Sequence, residues 1–217
     1  IRLQLRPHFF LNAMTTISSL SMQGQNDSIK RYVEVLSKNI RYMFKSGMHT
    51  VPLSEEMQNV QYYYEMQELR YPGSVFYYGE YNKEDENWPI PQMLIHTVVE
   101  NIYKHAVSVD NLITILVQVN KTEYKGQEML CISIEDDGEG YPEEILKQFQ
   151  AGEKPKPSED GTHLGLWSLW EMLRIMYDRN DLMELKNAEP HGTRTIFYLP
   201  KEAINETGKK TSGGDVV

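Results

Sequence analysis

Cysteine is nearly absent: Cys131 stands alone in 217 residues. This excludes an internal disulfide and any cysteine-rich metal site. Cys131 falls in Met129-Leu130-Cys131-Ile132-Ser133-Ile134, a strand-like run in which a free thiol packs as a small hydrophobe. No apolar run approaches the roughly 20 residues of a membrane span, and no segment reads as a secretory signal. A basic stripe is missing too: the formal net charge is -9 and the Lys and Arg residues are scattered. That argues against a nucleic-acid partner, whose phosphates need a cationic footprint. The glycine loop Gly161–Gly165 lacks the following Gly-Lys-Ser/Thr of a Walker A sequence. There is no internal repeat.

Apolar residues are not lacking. At 40% hydrophobic and 11% aromatic, the chain can bury a core, and its length suits one ordinary domain plus a smaller helical one. It begins at Ile1 already in helical phase, as expected of a piece of a longer protein. Residues 1–47 read as two helices around Gln23-Gly24-Gln25-Asn26-Asp27. Asp27 or Ser28 is the expected cap of the second, with Ile29, Val33, Leu36, Ile40 and Met43 as its apolar stripe. Such a hairpin usually completes its core against a partner, often its own copy. After a break at Gly47–Pro52, Ser54 is the expected cap of a helix running to about Arg70. The pattern then predicts a strand at Val75–Tyr81, a helix at Pro91–Ala106, and a hairpin of Ile113–Asn120 with Met129–Asp136. A short helix at Glu143–Phe149, a helix at Leu164–Tyr177 and strands at Leu182–Asn187 and Thr193–Leu199 complete it. The fold class expected is α+β: a helical hairpin (1–50), an α/β sandwich with helices on one face of a mixed sheet (51–204), and a loose tail (205–217).

Four constellations carry chemistry. In Glu100-Asn101-Ile102-Tyr103-Lys104-His105, the i,i+4 spacing puts Glu100, Asn101, Lys104 and His105 on one helix side, with Leu94, Ile95, Val98 and Ile102 on the other. An amide oxygen beside a carboxylate suits Mg²⁺, which keeps waters and substrate phosphates among its ligands. Glu135-Asp136-Asp137-Gly138-Glu139-Gly140 ends a strand, and Asp136 can accept a hydrogen bond from an exocyclic amine such as that of adenine. Gly161-Thr162-His163-Leu164-Gly165-Leu166 precedes a helix, where freed amides can cradle phosphate. Finally, His8 follows Pro7, which lifts it onto a stiff helix start. A neutral imidazole is a competent nucleophile toward a phosphoryl group, and Asn12 one turn on can orient it or a water.

In this order the four resemble sensor histidine kinases of the LytS/YesM type, with the ATP-binding (Bergerat) fold of the gyrase/Hsp90/histidine kinase superfamily. Gln4-Leu5-Arg6-Pro7-His8-Phe9-Phe10-Leu11-Asn12 is close to the family's Gln-x-Asn-Pro-His-Phe-x-x-Asn. Glu100-Asn101…His105 matches its N box, Asp136…Gly138…Gly140 its first glycine box, Gly165-Leu166 its second, and Gly192-Thr193 its last strand. The resemblance implies that His8 is phosphorylated, with Glu100 polarising the nucleophile or a metal-bound water and Asn12 assisting there or in phosphatase chemistry. Asn101 would hold Mg²⁺ and Asp136 adenine. Lys104 and His105 would lie near the phosphates, while Gly138, Gly140, His163, Gly165, Leu166 and Thr193 surround ATP under a lid at Tyr141–His163. It further implies a homodimer, a response-regulator receiver domain as partner, and a membrane-anchored parent protein with this portion in the cytoplasm. Arg6, Ala106, Asp137, His163, Ser168 and Met172 depart from the family's usual residues, and Phe9 stands where many histidine kinases carry an acid. Two other readings stay open: an ATP-hydrolysing switch of the gyrase/Hsp90 kind, and a degenerate kinase serving as a dimeric scaffold.

Overall fold

The computed structural model describes residues 7–44, 49–105, 112–152 and 164–203, with side chains from Phe9 in the first stretch and Gly165 in the last. Pro7 opens α1 (Pro7–Met22), where its missing N–H leaves no helical bond unmade. Gly24, at φ +70°, turns the chain into α2 (Asn26–Met43). Here Gln25, not Asp27 or Ser28, takes the N-cap position, because its carbonyl accepts the Ile29 amide. The buried face of α2 overlaps the expected stripe at Leu36, with Ile29 and Ile40 partly buried against the core, but it is wider. It carries Tyr32, Val35, Leu36, Asn39 and Tyr42, while Val33 is exposed.

The break before the third helix contains a short strand, β1 (Thr50–Pro52), so α3 (Leu53–Arg70) starts one residue ahead of Ser54. No side-chain cap is needed there. The amides of Leu53 and Ser54 donate to the carbonyls of Trp88 and Glu86, brought overhead because β1 pairs with β3 (Pro89–Pro91). That pairing also moves the start of α4 (Leu94–His105) past the expected Pro91. α3 packs between α2 and α4.

The main sheet contains β2 (Val75–Tyr81), β4 (Ile113–Tyr124), β5 (Gln127–Asp136), β6 (Met183–Asn187) and β7 (Thr193–Leu199) in the order β2-β4-β5-β7-β6. Only β2–β4 is parallel among these pairs. The β4–β5 hairpin is longer than expected because Lys125 and Gly126, both at positive φ, form a two-residue turn that lets the ladder run to Tyr124 and Gln127. Alternation along the strands buries Ile113, Ile115, Val117 and Val119 from β4 and Leu130, Ile132 and Ile134 from β5. α4 packs on β5 and against α6 (Leu164–Tyr177); α5 (Glu143–Ala151) leads from β5 toward α6. No helix among the described residues is long and apolar enough to cross a membrane.

Candidate active site

Leu94, Ile95, Val98 and Ile102 are buried, so the opposite side of α4 presents Glu100, Asn101 and Lys104. Glu100 and Lys104 form the expected pair at 2.6 Å, each about one-third exposed. Asn101 lies against the first turn of α6: a Cβ at Gly165 would sit 3.1 Å from Asn101 Nδ2 and 3.3 Å from its Oδ1. A side chain there would crowd the Asn101 amide by a few tenths of an ångström, so glycine leaves that amide its place. Asn101 Nδ2 is buried and has no hydrogen-bond partner among the described residues, which marks a polar group awaiting one. His105 is exposed at the last turn of α4, and burial of part of the ring lowers its pKa.

The second group gathers at the end of β5. Asp136 Oδ1 accepts the Gly138 amide at 2.8 Å, closing a tight turn, and Oδ2 accepts the Thr193 hydroxyl from β7. Two of the carboxylate's roughly four lone-pair sites are thereby used, leaving capacity for a ligand's donor. Gly192, at φ +106°, lets β7 start directly against the Asp136 carbonyl. Gly140, at φ +92°, turns the chain toward Tyr141, whose hydroxyl meets Thr195 Oγ1 at 2.6 Å and whose amide donates to Asn187. Asp137 faces elsewhere and accepts the Thr114 amide at 2.7 Å. Leu166, in the first turn of α6, is buried.

His8 lies in the first turn of α1, with its side chain outside the described residues, and His163 is outside them altogether. Asn12, half-buried one turn after His8, accepts the Thr16 hydroxyl through its carbonyl. Among the described residues there is no group of three His, Cys, Asp or Glu able to hold a metal.

Sequence reasoning missed the polar residues behind α4. Glu56, with no exposed surface, accepts the amides of Met93 and His96 at 3.0 Å each and the hydroxyl of Tyr42. Burial pushes its carboxyl up, against the pull of those donors. Asn39 donates to Asn59 at 3.1 Å, and Asn59 donates to His96 Nδ1 at 3.0 Å, leaving the ring proton on Nε2. Burial drops the His96 imidazole to about 4. Above pH 6.5 both folded and unfolded chains carry it neutral. Between 6.5 and about 4 only the unfolded chain gains the proton, so stability falls with pH by up to about 3 kcal/mol. Urea midpoints at pH 7 and pH 4.5 should converge in His96→Gln relative to the native protein; an unchanged gap would contradict this.

Two family models account for most of the chain. Residues 1–75 match the histidine kinase model, and residues 90–203 match that of histidine kinase-, DNA gyrase B- and HSP90-like ATPases. The chain belongs to the histidine kinase-, DNA gyrase B- and HSP90-like ATPase family. Within it, the chain is similar to the sensor protein LytS of Enterococcus faecalis, 27% identical over 93% of this chain and 33% of that protein. The LytS sensor of Bacillus subtilis is 25% identical over 98% of the chain and 35% of its own length. The chain thus spans about a third of these relatives. The catalytic domain of the histidine kinase ThkA has the same fold, with a TM-score of 0.54 at 16% identity over 72% of this chain and 99% of that one.

Proposed function

We propose that this chain is the kinase portion of a two-component sensor: it binds Mg-ATP, transfers the γ-phosphoryl to His8, and passes it to an aspartate of a response-regulator receiver domain. The observation that carries the reading is the meeting of Asn101 with Gly165, which sets a buried N–H donor without a partner, suited to a phosphate oxygen, beside the glycine start of α6. Asp136, with spare acceptor capacity, suits the adenine amine, and Thr193 holds that carboxylate in place. Asn101 is the residue that would hold Mg²⁺, which when bound neutralises phosphate charge. Glu100 is assigned to polarising the nucleophile or a water, Lys104 and His105 to the phosphates, and Gly138, Gly140, His163, Gly165 and Leu166 to the pocket walls. In the transfer a P–N bond to the His8 imidazole forms as the P–O bond to ADP breaks; catalysis is mostly positioning. Asn12, one turn from His8, orients the imidazole or an attacking water.

We divide the chain into a hairpin (1–50), a nucleotide-binding domain (51–204) and a tail (205–217). The exposed Leu11, Met14 and Met22 of α1 support a homodimer formed through the hairpin. Similarity to LytS sensors supports a cytoplasmic placement for this portion, beneath a membrane-anchored remainder.

Calorimetric titration with Mg-ATP tests the reading: saturable, Mg²⁺-dependent binding is expected. A folded protein that binds none at millimolar concentration would be a scaffold, and steady hydrolysis independent of His8 would favour a gyrase/Hsp90-like switch. Gly165→Ala separates site from stability. Helix propensity favours Ala by about 1 kcal/mol, offsetting the crowding, so thermal stability should hardly change. The displaced Asn101 should nonetheless weaken Mg-ATP binding roughly tenfold. Native affinity in this variant would remove Asn101 from the site.

A further inference from the structure

Three helices meet at the start of α4 through two parallel rows of buried polar side chains. In one row Tyr42 of α2 donates to Glu56 of α3, which accepts the amides of Met93 and His96. In the other, Asn39 of α2 donates to Asn59 of α3, which donates to the His96 ring. Asn39 and Tyr42 are i,i+3 neighbours, as are Glu56 and Asn59, so each pair shares one helix face and the rows lie side by side. Asn39 and Glu56 are 0% exposed, and Asn59 and His96 2%. The Gln92 side chain adds a tie by donating to the Tyr42 carbonyl.

Well-packed apolar residues would stabilise such a junction at least as well. The polar rows add register, because sliding α2 by one turn unpairs both at once and strands dry donors and acceptors. Glu56 also does for α4 what an N-cap side chain does, but from another helix. Its partner Met93 has φ +66°, a conformation that non-glycine residues hold only when their surroundings impose it. One turn beyond His96 on the same helix stand Glu100 and Asn101.

We propose that the two rows are a positioning device: Asn39 and Tyr42 on α2, acting through Asn59 and Glu56, set where α4 presents Asn101, so nucleotide affinity depends on how the α1–α2 hairpin is seated. The proposal rests on the nucleotide-binding reading above. Glu56 is its central positioning residue, out of contact with the nucleotide and acting through the α4 backbone.

The test compares Tyr42→Phe and Asn39→Leu with Leu20→Ala, a core truncation in the same hairpin that lowers stability without touching the rows. Two quantities are read in the whole chain: amide hydrogen exchange over residues 93–105 without nucleotide, and the Kd for Mg-ATP. Both row variants should speed exchange in α4 roughly tenfold beyond the control and raise Kd roughly fivefold or more. Leu20→Ala should leave Kd as in the native protein. Exchange and affinity equal to the control's in both row variants would overturn the proposal. A native chain that binds no Mg-ATP would sink the kinase reading instead; exchange then decides the device, and control-like protection of α4 in the row variants would still refute it.

Discussion

Asp136→Asn is expected to weaken Mg-ATP binding about 100-fold while the protein stays folded. The aspartate presents acceptors on both oxygens: Oδ1 to the Gly138 amide at 2.8 Å and Oδ2 to the Thr193 hydroxyl. An asparagine keeps one acceptor and turns the other atom into a donor. The Thr193 hydroxyl can rotate to accept from it, whereas the Gly138 amide cannot, so the oxygen stays on the Gly138 side. The fold therefore loses only about 1–2 kcal/mol. The ligand fares worse. An amine donor that met a carboxylate now meets an NH₂ group, losing a charge-assisted bond and gaining a donor–donor clash, which together account for the expected loss. Calorimetry on the variant, with its melting curve as the folding control, checks this. Native affinity would show that Asp136 does not read the nucleotide.

Gly192→Ala is expected to be the most damaging single-methyl change in the domain, destabilising it by about 4 kcal/mol or more, in the range reserved for severe mechanisms. A Cβ there would lie 1.8 Å from the Asp136 carbonyl oxygen, 2.7 Å from its carbon and 2.9 Å from Asp137 Cα. All three are backbone atoms, so no side chain can swing aside. The φ of +106° adds strain of its own. Gly73→Ala isolates that second effect, because Gly73 has φ +72° with open space around it and should lose only about 1 kcal/mol. For a chain of this size the Gly192 variant should melt about 10 °C or more below the native protein, or fail to fold. A melting point close to that of Gly73→Ala would mean that β7 can retreat from Asp136 at little cost.

What was legible in the sequence was local. The alternation of Ile113, Ile115, Val117 and Val119 announced a half-buried strand, and Leu94, Ile95, Val98 and Ile102 announced the buried side of α4, because one physical period repeats within a few residues. The Asp136–Gly138 turn was equally readable. The α2 face was not: Asn39 and Tyr42 interrupt its apolar pattern, and their burial makes sense only once Asn59 and Glu56 of α3 stand opposite. Ser54 looked like a cap because nothing nearby in sequence announces that Glu86 and Trp88 supply the carbonyls for that helix start. Pairing of Thr193 with Asp136 across 57 residues, and contact of Gly165 with Asn101, have no local signal either. Only the family resemblance pointed to those motifs, and it said nothing of Glu56 or His96.

Phosphorylation of His8 is the claim on which the kinase reading stands, and incubation with Mg²⁺ and γ-labelled ATP tests it most directly. Acid-labile, base-stable label should appear on the native chain and be absent from His8→Ala, with Mg-ATP binding equal in the two. Label persisting in His8→Ala, or none on a native chain that binds Mg-ATP, would contradict it.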